Sequence, residues 1–181
     1  MKNRIVPAFE LVFDNPSESL GFSVWRTANL WQRKVKEKLD PHGITHVQFL
    51  LLNSLAVLNK NQTFAITQKM LADYSGCDKM MTSKVLRTLE QRKWVYRKDH
   101  HSDTRSKSLL LTSKGMEILE QSSRAFLEAE KAFFKCIAKK EEGFAKRLRK
   151  LNAVNERSES KSAVLANEAQ IAINKASQTE R

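Results

Sequence analysis

The sequence predicts a mostly α chain: two helices around a tight turn, a small hairpin after them, and long helices at both ends. Three observations point there. Only five Gly and three Pro occur in 181 residues, and all three Pro precede residue 42, so little interrupts helical runs beyond that point. Ser75-Gly76-Cys77 separates two segments of helical period, as in two helices joined by a Gly-containing turn. Trp94-Val95-Tyr96 and Ser108–Leu111 are strand-prone and flank a hydrophilic, mostly cationic stretch.

The elements follow in order. Residues 17–39 carry Phe22, Trp25, Leu30, Trp31 and Val35 as a partly regular apolar stripe, with Ser17 or Ser19 as N-cap. Trp25 and Trp31 are six apart, so they do not share one stripe. Asp40-Pro41-His42-Gly43 ends this helix, because neither Pro nor Gly continues one cheaply. Thr45 and Gln48 then stand at capping-box spacing. Val47, Leu50, Leu51, Leu55 and Leu58 follow at helical intervals, which predicts a helix over 45–59 and a polar turn over Asn59–Gln62. Phe64-Ala65-Ile66 suits a very short strand, and Thr67 an N-cap for a helix over 68–74.

Helical period resumes over 78–92. Thr82, Val85, Leu86 and Leu89 form one buried face, and at about 100° per residue Met80, Ser83, Lys84, Arg87 and Gln91 fall opposite. The two strand-prone stretches make a hairpin with eleven connecting residues, 97–107, more than a tight turn requires. Thr112 caps a helix over 113–139 bearing Met116, Leu119, Phe126, Leu127, Phe133, Phe134 and Ile137. A further helix over 141–155 shows Phe144, Leu148 and Leu151 on one side. From Glu156 four acidic and four basic residues cancel and aromatics vanish, so a weak helix over 163–176 or a disordered tail is expected.

Helix-turn-helix, hairpin and long flanking helices together describe a winged helix-turn-helix. The implied organisation is an extension over 1–16, a dimerisation helix over 17–44, a winged core over 45–112, dimerisation helices over 113–155 and a polar tail over 156–181.

Charge narrows the function. The 32 Lys+Arg exceed 20 Asp+Glu by 12, with a pI near 9.9, which points to a polyanionic partner. Two cysteines are too few for a disulfide framework and suggest a reducing compartment. No apolar run reaches membrane-spanning length, and the first twenty residues lack the order of a secretory signal. A cytoplasmic protein with no membrane partner is expected. No Gly-rich phosphate loop and no carboxylate pair beside a nucleophile occur, so neither an enzyme nor a cofactor is expected.

In "ITHVQFLLLNSL", "SKVLRTLEQRKWVYR" and "DTRSKSLLLTSKG", and in their order, the chain resembles the MarR family of bacterial transcriptional regulators over roughly 20–155. The family wing, Asp-x-Arg-Ser/Ala-Lys followed by a strand and Leu-Thr-x-x-Gly, matches Asp103, Arg105, Ser106, Lys107, Leu111, Thr112 and Gly115. Two departures stand out. Ser83-Lys84 replaces a common Ser-Arg, losing the planar fork that reads guanine, and Lys93 replaces the usual Gly before the hairpin. The resemblance implies a homodimer that binds a near-palindromic operator in double-stranded DNA, usually as a repressor, and releases it to small, often aromatic effectors or oxidants.

Over 78–107 nine Lys or Arg face four Asp or Glu, a net +5. Groove docking by the second helix and a basic wing would use Lys79, Met80, Ser83, Lys84 and Arg87 of the helix. From the wing it would use Arg97, Lys98, His101, Asp103, Arg105 and Lys107. Arg105 suits a narrow minor groove, with Asp103 orienting it or closing the turn. A bland alternative makes the module a protein-interaction or structural unit, with little salt dependence.

Other candidates are weaker. The eight Lys or Arg over 131–150, against two Glu, read first as a solvated helix side and second as auxiliary phosphate contacts. Cys77, near the start of the second helix beside Lys79, reads as small and buried before it reads as a redox sensor. Cys136 reads as inert core or interface. His42 and His46 are four apart but divided by Gly43, so no metal site is expected.

Overall fold

The computed structural model describes residues 19–61, 65–99 and 107–156. They fall into two compact units, one ending at Phe133 and one starting at Phe134. The first holds α1 (Leu20–Leu39), a 3-10 turn (Asp40–His42), α2 (His46–Asn61), α3 (Gln68–Ser75) and α4 (Lys79–Gln91). It continues with β1 (Val95–Asp99), β2 (Lys107–Leu111) and nearly all of α5 (Ser113–Phe134). The fold is a mostly helical winged helix, as its elements predict.

Caps set the helix starts. Ser19 Oγ accepts from Phe22 N–H at 3.2 Å, so of the two expected caps this one starts α1. The capping box before α2 is complete, with Gln48 N–H donating to Thr45 Oγ1 and Thr45 N–H to Gln48 Oε1. Thr67 caps α3 through Met70 N–H. Helix α2 is the core of the unit: Phe49, Leu51, Leu52, Leu55 and Leu58 are buried, and it meets α1, α3, α4 and β2. A helix enclosed on several sides needs apolar residues around most of its circumference, and this one has them.

Several expectations shift. Helix α2 continues through Asn59 and Lys60 to Asn61, where a polar turn was expected. Phe64 lies outside the described residues, and Ile66 belongs to no strand ladder. Its carbonyl instead accepts from Leu109 N–H at 2.8 Å, one bond on the open side of β2. Helix α5 stops at Phe134 instead of 139, and residues Lys135–Lys140 tighten into a 3-10 turn.

Phe126, one of the apolar residues of the expected dimerisation helices, packs within its own chain: it stacks on Phe49 with ring centres 4.5 Å apart. His46 and Trp31 complete that cluster, edge to face at 4.7 Å, and Trp31 Nε1–H donates to Glu130 Oε1. Trp25, by contrast, is 62% exposed, so one tryptophan lies on the surface and the other, half-buried, packs against the core.

In the second unit, residues 141–156 form α6, with Phe144, Leu148, Leu151 and Val154 exposed along it. Cys136 is exposed, not core. Among the described residues no helix is long and apolar enough to cross a membrane, and no three His, Cys, Asp or Glu side chains group as metal ligands. Of the tail expected over 156–181, Glu156 ends α6 and residues 157–181 lie outside the described residues.

Candidate nucleic-acid interface

Helices α3 and α4 are joined by Gly76-Cys77-Asp78. Gly76 takes φ 65°, a left-handed conformation that a Cβ would disfavour, and its N–H closes α3 on the Ala72 carbonyl. Asp78 then opens α4, its carboxylate accepting from Met80 N–H at 2.8 Å and Met81 N–H at 2.9 Å. An anion at a helix start satisfies free N–H groups and complements the helix dipole. The Asp78 cap is a positioning residue that the sequence reading missed, although Asp just before an apolar-periodic segment is a start signal. Cys77 is half-buried between the helices, its Sγ 3.9 Å from the Ser75 carbonyl.

The inward face of α4 is as expected. Thr82, Leu86 and Leu89 are buried, Val85 packs partly against the core, and Thr82 Oγ1–H donates to the Asp78 carbonyl at 2.8 Å. Met80, Lys84 and Arg87 are exposed on the opposite side, with Lys79 exposed at the start and Ser83 half-buried on the flank. Among the described residues the side chains of Lys79, Lys84 and Arg87 make no ion pair and no hydrogen bond. Two cations on one helical stripe are thus left for an external anion.

The hairpin is longer than expected. Val95 pairs with Leu111, Arg97 with Leu109 and Asp99 with Lys107, so Arg97, Lys98 and Lys107 stand on strands and only 100–106 connect them. Polar residues hide a strand end in sequence, since pairing with the partner decides it. Strand alternation then separates two predicted contacts. Arg97 shares a face with buried Val95, and its Nε–H donates to Glu90 Oε1 of α4 at 2.7 Å. Lys98 points to the other, exposed face. Arg97 therefore ties the hairpin to α4, whereas the Lys98 side chain makes no hydrogen bond or ion pair among the described residues. His101, Asp103 and Arg105 lie outside the described residues.

Behind α4 lies a joint built on backbone groups. Trp94 N–H reaches the Leu89 carbonyl at 2.9 Å and Lys93 N–H the Glu90 carbonyl at 2.8 Å, the paired bonds of a Schellman ending. That ending requires a left-handed residue, and Lys93 supplies it at φ 61°. Thr112 Oγ1 donates to the Lys93 carbonyl at 2.7 Å and accepts from Gly115 N–H at 2.9 Å, capping α5 against the end of α4. A Cβ on Gly115 would lie 2.1 Å from the Trp94 carbonyl oxygen, so the final Gly of Leu-Thr-x-x-Gly lets two backbones touch. Arg92 completes the joint. Its guanidinium lies 4.8 Å from the Trp94 ring centre and donates to the Gly43 carbonyl at 2.6 Å, reaching the turn that follows α1.

Comparison with known proteins agrees with this geometry. The family model described as "MarR family" matches residues 44–107, the span from before α2 to the second wing strand. The chain is 37% identical over 129 residues to YdcH of Bacillus subtilis (strain 168), described as an uncharacterised HTH-type transcriptional regulator. That match covers 71% of this chain and 87% of the relative. Among solved structures, apo wild-type MarR from E. coli is 25% identical with a TM-score of 0.58, over 73% of this chain and 95% of that one. The S. aureus MepR–DNA complex is similar in fold at 22% identity and a TM-score of 0.62, over 76% of this chain and 99% of that one. With a regulator as its 37%-identical relative and the helix-turn-helix, wing and Gly115 joint in place, this chain belongs to the MarR family of transcriptional regulators.

Proposed function

We propose that the chain is a homodimeric, sequence-specific DNA-binding regulator of the cytoplasm, acting as a repressor at a near-palindromic operator and released by a small-molecule effector. The observation that carries this reading is the outward stripe of α4, where Lys84 and Arg87 have no partner among the described residues and the Asp78 cap fixes the helix start. In this reading α4 enters the major groove with Lys79, Met80, Ser83, Lys84 and Arg87. Lys98, His101, Arg105 and Lys107 of the wing meet the backbone and minor groove, and Asp103 orients Arg105. Arg97 serves by holding the wing to α4. A second copy would cover the apolar residues left exposed on α1 (Leu20, Val24, Trp25 and Leu30) and on α6. Two-fold symmetry of the protein then imposes the palindrome.

Selection of bound duplexes from a random pool, followed by affinity measurements at several salt concentrations, tests the reading. A preferred near-palindrome should emerge. Arg105→Ala should weaken specific and random duplexes alike, and flatten the log–log salt slope by about 0.9 per subunit for one lost phosphate contact. An unchanged affinity and slope would remove the wing from the interface. A folded monomer at micromolar concentration in sedimentation would remove the dimer.

A further inference from the structure

Met80 is 82% exposed, more than any other large apolar side chain among the described residues. It is not at a ragged end. Asp78 accepts its N–H at 2.8 Å, so the backbone that carries the side chain is held in the first turn of α4. Lys84 and Arg87 follow at i+4 and i+7, which puts one apolar group at the head of an otherwise cationic stripe. A thioether gains nothing from water or from a phosphate. In a major groove it has one natural partner, the C5-methyl of thymine, the apolar feature among the base edges there. The unbranched, flexible methionine chain adapts to such a target better than a β-branched one would.

Resting on the DNA-reading surface argued above, we infer that Met80 is a specificity residue that selects a T·A pair by packing on the thymine methyl group. The helix rise places Met80 about 6 Å along α4 from Lys84. At about 3.4 Å per base step, the selected thymine lies roughly two pairs from the base that Lys84 meets.

The test uses the full chain and a duplex obtained by selection from a random pool. Each thymine in turn is replaced by uracil, which removes the methyl group and leaves the pairing edge intact. One thymine in each half-site should respond, with binding weakened about fourfold per half-site, the amount one buried methyl supplies. Met80→Ala should bind the thymine duplex more weakly and be indifferent to that uracil, while Met80→Leu should keep the penalty. Thermal unfolding of both variants should match the parent, because the side chain has no packing to lose. A preferred duplex that is indifferent to every uracil, or a penalty that survives in Met80→Ala, overturns this assignment alone. A selection that yields no preferred duplex overturns it together with the DNA-reading surface.

Discussion

The outward face of α4 and the joint behind it lie one helix length apart and are built by opposite rules. On the face, Met80, Lys84 and Arg87 are exposed, Lys84 and Arg87 have no hydrogen bond or ion pair among the described residues, and the backbone is fixed from below by the Asp78 cap and the Leu86 and Leu89 anchors. At the joint, Arg92, Lys93, Trp94 and Thr112 each donate a hydrogen bond to a backbone carbonyl, and Gly115 N–H donates to the Thr112 hydroxyl. A regulator needs this division. Side chains that read an external surface must be replaceable without altering the fold, and the frame that aims them must not be. The joint also gathers three elements, since Arg92 holds the turn after α1, Trp94 opens the hairpin and Thr112 starts α5.

The largest expected break in that contrast is Gly115→Ala. The added carbon would overlap the Trp94 carbonyl oxygen at 2.1 Å, and a backbone atom cannot swing aside as a side chain can. Forcing α5 away from the end of α4 should cost at least about 3 kcal/mol, at the upper end of overpacking effects. Chemical denaturation would measure it. Stability within about 0.5 kcal/mol of the parent would show that the two backbones are not in obligatory contact.

Lys84→Ala is the matching change on the face, and the expected effects are reversed. Denaturation should move by no more than about 0.5 kcal/mol, as for exposed sites with no partner. Discrimination among operator variants should fall by about 1–3 kcal/mol for one lost base-edge contact. A variant that loses stability but keeps its discrimination would invert the assignment of face and frame.

The face was largely legible in the sequence and the joint was not, for a physical reason. Helical period sorts Thr82, Leu86 and Leu89 from Met80, Lys84 and Arg87 without knowledge of anything else in the chain. The joint is made by pairs far apart in sequence. Arg92 meets Gly43 across 49 residues, and no local pattern announces a guanidinium aimed at a carbonyl. Thr112 and Gly115 were visible as a family motif, but the need for Gly follows only once Trp94 lies against α5. The hairpin failed in the same manner: Arg97 and Lys98 look like loop, and pairing with Leu109 and Ser108 makes them strand. Apolar side chains show the limit most clearly. Phe126 and Leu127 are adjacent in sequence, yet one stacks on Phe49 and the other stays 65% exposed. The amount of apolar surface on a long helix can be counted from sequence, while its owner depends on how α5 is rotated.

Lys93→Gly sharpens the comparison from the other side, because it should improve the joint. A side-chain-bearing residue in the left-handed region costs about 1–2 kcal/mol, and Gly avoids that at the same φ. Part of the gain is offset by the greater chain entropy of unfolded Gly, so a net stabilisation of about 1 kcal/mol is expected. The Schellman bonds use the backbone of residue 93, not its side chain, and should survive. No gain on denaturation would mean that the Lys93 side chain contributes as much as its backbone strain removes.

The smallest expected effect concerns the aromatic cluster above the α1–α2 turn, between face and frame in character. His46 is half-buried against the Trp31 and Phe126 rings, and desolvation holds its pKa below the usual 6.5. The folded chain therefore favours the neutral imidazole, while the unfolded chain takes up a proton near 6.5. Where the unfolded state binds more protons, stability rises with pH. The contribution should be complete above about 6.5 and decline as pH falls from there toward the lower folded value. His46→Phe keeps an aromatic ring in the cluster and removes the proton site, and the other three histidines are common to both proteins. Comparing unfolding midpoints at pH 7.5 and 5.5, the parent should lose more on acidification than the variant. Equal losses would mean that the imidazole protonates as readily in the folded chain as in the unfolded one, and that the rings around it leave it open to water.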